Sequence, residues 1–107
     1  MWGYSISALV NHSIEKDWVN WMQEIHIHEV LETKCFIKAQ FSKIHHETVS
    51  YDATNYNVVY FANSREDLEK YYKDFAPLLR QKVWVLFREQ VTFFRTELEF
   101  LDEYIKK

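Results

Sequence analysis

Hydrophobic and polar positions alternate over residues 4–10. Tyr4, Ile6, Ala8 and Val10 fall on one side, and Ser5, Ser7 and Leu9 on the other. A period of two predicts a β-strand. Asn11-His12-Ser13 breaks the pattern and offers two helix N-caps. Glu15 and Asp17 follow in what would be the first turn, where carboxylates complement the helix dipole. Then the period lengthens. Ile14, Trp18, Trp21, Met22 and Ile25 form one apolar helical stripe, with Lys16, Asn20, Gln23 and Glu24 off it. Val30 and Leu31 continue the apolar content, and the helix is expected to end or bend within 27–33.

Alternation returns over 34–44. Cys35, Ile37, Ala39 and Phe41 share one face, and Phe36, Lys38, Gln40 and Ser42 the other. Residues 45–53 are polar and predict a hairpin loop that includes the pair His45-His46. Residues 54–62 are rich in Tyr, Val and Phe and predict a third strand. Both of its faces are partly apolar, so the pattern does not orient it. Ser64-Arg65-Glu66-Asp67 reads as a helix start with Ser64 as cap. Leu68, Tyr71, Tyr72, Phe75 and Leu79 then recur at helical spacing, with Pro77 among them. A proline inside a helix costs about 3 kcal/mol, so a break is expected near Phe75–Ala76, with a restart over 78–87. The last strand spans 91–101, with Phe94, Thr96, Leu98 and Phe100 assigned to the covered face. Phe93, Arg95, Glu97 and Glu99 take the other face, and residues 102–107 form a polar tail.

The order β-α-β-β-α-β is that of the ferredoxin-like split βαβ unit. It predicts an α+β fold with two helices on one face of a four-stranded antiparallel sheet. The other face is left without cover from its own chain. The 107 residues suit a single domain spanning 1–107. One glycine and one proline leave little room for a linker.

Composition narrows the function classes. The chain is 48% hydrophobic and 18% aromatic, more aromatic than a small solvated core needs, which points to an interface or pocket. A net charge of −3 without a basic block argues against nucleic-acid binding. The lone Cys35 permits no intrachain disulfide and fits a reducing cytoplasm. No segment reads as a membrane span or a signal peptide.

The chemical constellations are weak. His26 and His28, two apart, would point about 200° from each other on a helix, and no H-x-x-x-H or C-x-x-C spacing exists, so neither a metal nor a cofactor is expected. His26 reads first as a packing residue, and Cys35 as an inert core thiol. If the first and last strands bury their more apolar sides, Ser5, Ser7, Lys38, Gln40, Arg95, Glu97 and Glu99 share the open face, and Tyr56 and Tyr60 can join them. A homodimer closing over that face would enclose a partly polar cavity. Arg95 could hold an anion there. The candidate ligand-binding residues are therefore His26, Lys38, Tyr56, Tyr60, Arg95 and Glu97.

Trp18, Trp21-Met22, His26-Ile27, Glu29-Val30-Leu31 and Cys35-Phe36 resemble a family of short bacterial proteins known as a domain of unknown function. Ser64, Asp67-Leu68, Tyr71, Ala76-Pro77, Leu79-Arg80, Phe87 and Phe94-Arg95 extend the resemblance along almost the whole chain. His28 stands where the family pattern has proline, and Lys34 where it has glycine. The resemblance implies the dimeric α+β barrel group, in which two ferredoxin-like sheets pack face to face and some members are small oxygenases, isomerases or stress proteins. It implies no activity for this chain. Three readings follow: a cytoplasmic homodimer that binds a small ligand or partner at its open sheet face, a cofactor-independent enzyme of the monooxygenase or isomerase kind using His26, Tyr56 and Arg95, or a purely structural dimer with no ligand.

Overall fold

The computed structural model describes residues 1–45 and 52–107. Strand β1 (Trp2–Asn11) leads through a short 3-10 turn into α1 (Glu15–Trp21), a π-turn (Met22–His26) and α2 (Ile27–Glu32). Strands β2 (Lys38–Ile44) and β3 (Ala53–Ala62) follow, then α3 (Arg65–Asp74), α4 (Ala76–Phe87) and β4 (Val91–Glu99). The sheet order is β2-β3-β1-β4 with every pair antiparallel. This is the ferredoxin-like α+β arrangement expected from the element order. The predicted loop, with His46, falls largely outside the described residues.

Local chemistry sets the element ends. The Asn11 side chain accepts from the Ser13 amide at 2.9 Å and the Ser13 hydroxyl at 2.7 Å, which turns β1 into the first helix. The Ser64 hydroxyl accepts from the Asp67 amide at 3.2 Å and starts α3. The expected break falls at Phe75, and Pro77 lies in the first turn of α4, where its missing N–H costs nothing. α2 ends where the Lys34 amide donates to the Leu31 carbonyl at 3.1 Å, with Lys34 at φ 65°. Lys34 thus adopts a left-handed conformation that a glycine would take at lower cost. Because that turn replaces strand geometry, Cys35 and Phe36 are both buried and Ile37 is exposed. The alternation expected over 34–37 does not hold, and β2 begins only at Lys38.

Register fixes the faces. Tyr4 lies between Tyr60 and Glu97, Ile6 between Val58 and Arg95, and Ala8 between Tyr56 and Phe93. These residues share the helix-facing side. Tyr4, Tyr56, Val58, Tyr60 and Ala8 are buried against Trp18, Met22, Val30, Leu68, Tyr71 and Leu79. The expectation for β1 therefore holds, whereas that for β4 is inverted: Arg95 and Glu97 face the helical side, and Phe94, Thr96 and Leu98 face away. Tyr56 and Tyr60 also face the helices, not the open side. The physical reason is position. β4 is an edge strand, and beyond Val91 and Phe93 its helix-side residues lie exposed at the rim of the helical layer, where α3 supplies Tyr72 and Arg65 to hold Glu97, so polar groups are tolerated there.

The open face holds Ser5, Ser7, Leu9, Lys38, Gln40, Asn57, Val59, Phe61, Phe94 and Leu98. At one end Phe100 stacks on Phe61 with centroids 5.5 Å apart, and the Lys38 ammonium sits 4.6 Å from the same Phe61 ring. Phe100 reaches this position because Gly3 has no side chain; a Cβ there would stand 2.9 Å from the Phe100 ring.

Candidate functional site

The site begins with a phase shift in the first helix. A regular α-helix advances 100° per residue, so residues four apart drift by about 40°. Trp18, Met22, His26 and Val30 are nevertheless all buried at that spacing. The π-turn explains this. The Ile27 amide donates to the Met22 carbonyl, five residues back, and widens the turn enough to keep the four-residue row facing the sheet. Its consequence is an exchange of places: Ile25, predicted for the core stripe, is 47% exposed, and His26 is 8% exposed. The signal for this was the repeated four-residue spacing itself, which a uniform helical period obscures.

His26 stacks on Trp21 with ring centroids 4.6 Å apart. Burial lowers its pKa from the ordinary 6.5 to about 4, with Lys82 adding to the effect and Glu29 opposing it. The imidazole is therefore neutral at pH 7. Its Nδ1 is buried and has no hydrogen-bond partner among the described residues. Two further buried polar atoms share that condition, Trp18 Nε1 and the Tyr60 hydroxyl. Buried polar groups are ordinarily paired, and each unpaired one costs about 1–3 kcal/mol.

All three residues line one internal cavity between the helices and the sheet. Tyr4, Tyr56, Tyr71, Phe93 and Arg95 contribute to its wall, and no carboxylate does. Its volume is about 30 Å³, measured as space for the centre of a water-sized sphere. That is room for about two water molecules, or for the head of a small organic group in their place. Arg80 stands at the wall and donates to the Tyr4 hydroxyl at 3.0 Å. The chemistry of the lining is that of a donor-rich, aromatic site. Indole N–H can only donate, and a tyrosine hydroxyl donates readily.

The candidate residues divide. His26, Tyr56, Tyr60 and Arg95 come together around the cavity. Lys38 lies on the opposite face of the sheet, over Phe61. Glu97 lies outside the cavity and is engaged by the Tyr72 hydroxyl at 2.8 Å and by Arg65 at 3.4 Å. The Tyr56 ring lines the cavity, but its hydroxyl donates to Glu15 at 2.5 Å. Burial, together with Glu15, pushes the Tyr56 pKa up to about 12, and the same bond lowers the Glu15 pKa. Burial likewise raises the pKa values of Tyr60 and Tyr71. The residues that sequence reasoning missed are Trp18 and Arg80. Trp18 looked like pure core, and nothing in the pattern marks its indole nitrogen as unpaired. Among the described residues, no group of three or more His, Cys, Asp or Glu is placed to hold a metal ion. No helix among them is long and apolar enough to cross a membrane.

A family model described as a domain of unknown function (DUF4286) matches residues 1–101. The chain belongs to this family. No curated protein sequence matches it. Among solved structures, a dimeric ferredoxin-like protein from an uncultured marine organism is 14% identical, with 99% of this chain and 100% of that one covered and a TM-score of 0.67. An EthD family protein from Bacillus halodurans is 9% identical over 94% of this chain and 100% of that one, with a TM-score of 0.70. A candidate antibiotic biosynthesis monooxygenase from Bacillus cereus is 11% identical over 96% and 97%, with a TM-score of 0.58. At these identities the likeness is one of fold. It places this DUF4286 chain among ferredoxin-like proteins.

Proposed function

We propose that this chain is a small cytoplasmic ligand-binding protein, folded as one ferredoxin-like unit over residues 1–107 and working as a homodimer. Its ligand presents a carbonyl, carboxylate or similar acceptor oxygen to the cavity between helices and sheet. The observation that carries this reading is that three residues with a buried, unpartnered polar atom, Trp18 (Nε1), His26 (Nδ1) and Tyr60 (Oη), all line one aromatic cavity. A donor-rich pocket of that size selects a compact acceptor group. The rest of the ligand extends outward past Arg80 and Arg95. The ligand site thus moves from the open sheet face to the interior, and the open face is left to the second copy.

The dimer is supported by the sidedness of β4. Its more apolar side, with Phe94 66% and Leu98 37% exposed, faces away from the helices. Leu9 and Val59 lie on the same side of the sheet. A sheet that turns its better apolar face outward on an edge strand is suited to cover by another sheet. One similar structure is itself described as dimeric. Light scattering at micromolar concentration should return twice the 13.1 kDa of one chain; a single-chain mass would remove the dimer.

A second reading rests on His26. An imidazole held neutral at pH 7 and facing a cavity can accept a proton from a bound substrate. The chain would then be a cofactor-independent enzyme of the monooxygenase or isomerase kind, with Arg95 holding developing negative charge. Chemical conversion of the bound compound separates the readings: the first predicts that it is recovered unchanged after incubation, and the second predicts turnover that His26→Phe abolishes.

The test of the binding reading is extraction. The protein is purified without small-molecule additives and denatured, and the released fraction is examined by mass spectrometry. A stoichiometric compound bearing a carbonyl or carboxylate is expected. The same compound should be absent from a Trp18→Phe, Tyr60→Phe double variant, and its equal recovery from that variant would contradict the assignment.

A further inference from the structure

Outside the cavity, between α4 and β4, lies an open groove whose lining includes Arg80, Arg88, Arg95, Trp84, Phe93 and Glu89. The chain has only four arginines, and three of them meet here. No lysine lines the groove. The fourth arginine, Arg65, is paired with Glu69 and Glu97. By contrast Arg80, Arg88 and Arg95 form no ion pair among the described residues, in a chain with sixteen carboxylate side chains and a net charge of −3. Scattered surface cations would find partners in such a chain. These three share the groove with one carboxylate, Glu89, and it forms no ion pair with any of them.

Each guanidinium is also oriented. Arg80 donates to the Tyr4 hydroxyl at 3.0 Å. Arg88 lies 5.8 Å from the Trp84 ring centre, and Arg95 lies 5.2 Å from that of Phe93. A guanidinium seated against a ring keeps its edge N–H groups free, in the planar fork that matches carboxylate and phosphate oxygens. Arg88 is held at φ 52° and ψ −130°, a conformation that glycine would adopt with less strain. The groove adjoins the cavity, because Arg80, Val83, Phe93 and Arg95 line both.

We infer that this groove is an anion-binding site formed by Arg80, Arg88 and Arg95, and that it takes a carboxylate or phosphate group carried by the ligand whose acceptor head enters the cavity. This rests on the ligand reading given above and narrows it to acidic compounds with two polar ends. The uncharged middle of such a compound lies along Val83, Trp84 and Phe93.

The test is arginine Nε–Hε NMR during separate titrations with inorganic phosphate and with acetate, at ionic strength held constant with sodium chloride. Saturable shifts are expected at Arg80, Arg88 and Arg95, with Arg65 unmoved. The more tightly bound of the two anions identifies the group as phosphate or carboxylate. Arg88→Gly should weaken that binding about tenfold, the loss of one charge-assisted contact, while raising the urea midpoint through relief of backbone strain. A response shared equally by Arg65, or one absent at constant ionic strength, would overturn the site. Acetophenone, a neutral carbonyl compound, is titrated in parallel and read at the Trp18 indole N–H. An acetophenone response without a phosphate or acetate response overturns the anion site and spares the cavity. The reverse pattern sustains the anion site and removes the cavity reading.

Discussion

Replacing Tyr60 by Phe removes one oxygen and leaves the ring. The ring is fixed on several sides: it packs 5.3 Å from Phe36 and 6.3 Å from Tyr4, and the residue has no solvent exposure. The hydroxyl has no partner among the described residues. In an ordinary buried tyrosine the lost hydrogen bond would cost about 1 kcal/mol. Here no bond to another described residue is lost. What disappears is the cost of holding a hydroxyl out of water, about 1–3 kcal/mol, offset by a slightly larger void. The net expectation is a gain of about 1 kcal/mol for the ligand-free protein, or about 4–8 °C in midpoint for a domain of this size. Urea unfolding followed by circular dichroism, with m-values compared, gives the difference directly. A loss of about 1 kcal/mol would mean that the hydroxyl is already satisfied, and would refute its assignment to a ligand.

The remaining predictions draw on His26 and Lys34. The folded-state pKa of His26 lies near 4, below its ordinary 6.5, so the unfolded chain binds the proton first as pH falls. Stability is therefore complete above about pH 6.5 and declines by about 3 kcal/mol between there and about pH 4. His26→Phe should flatten that part of the pH–stability curve, and an unchanged slope would show that the imidazole is not buried neutral. Lys34→Gly removes the strain of a left-handed lysine and should raise stability by about 1 kcal/mol despite glycine's greater freedom in the unfolded chain. Thermal unfolding checks it, and a lowered midpoint would contradict the turn geometry.

Much of the fold was legible because period-two and helical patterns switch cleanly along the chain. The β1 alternation, the Ser64 cap and the break ahead of Pro77 each state a local rule that tertiary packing did not override. Three features were not legible. The π-turn changes the helical phase through a backbone bond that no side chain announces, so Ile25 and His26 exchanged places. β4 presents its polar side to the helices because an edge strand lies at the exposed rim of their cover, which depends on sheet order and not on its own sequence. Lys34 hides a glycine-like turn behind an ordinary residue type. The site was half legible for the same reasons. His26, Tyr56, Tyr60 and Arg95 were picked as polar or aromatic residues near a sheet and do meet, though on the helix side of the sheet. Lys38 and Glu97 were picked on a face assignment that the register divides. Trp18 matters through one unpaired N–H, a property of its surroundings alone.

The most direct test of the cavity site compares two isosteric probes. Acetophenone and α-methylstyrene differ in whether an oxygen or a methylene group is presented. With ¹⁵N-labelled indoles, an acceptor site at Trp18 predicts a saturable downfield shift of one of the four tryptophan N–H signals with acetophenone, and none with α-methylstyrene. That signal is assigned by its loss in Trp18→Phe. Equal responses to both probes, or an acetophenone response spread over all the tryptophans, would contradict a site built around the unpartnered atoms of Trp18, His26 and Tyr60.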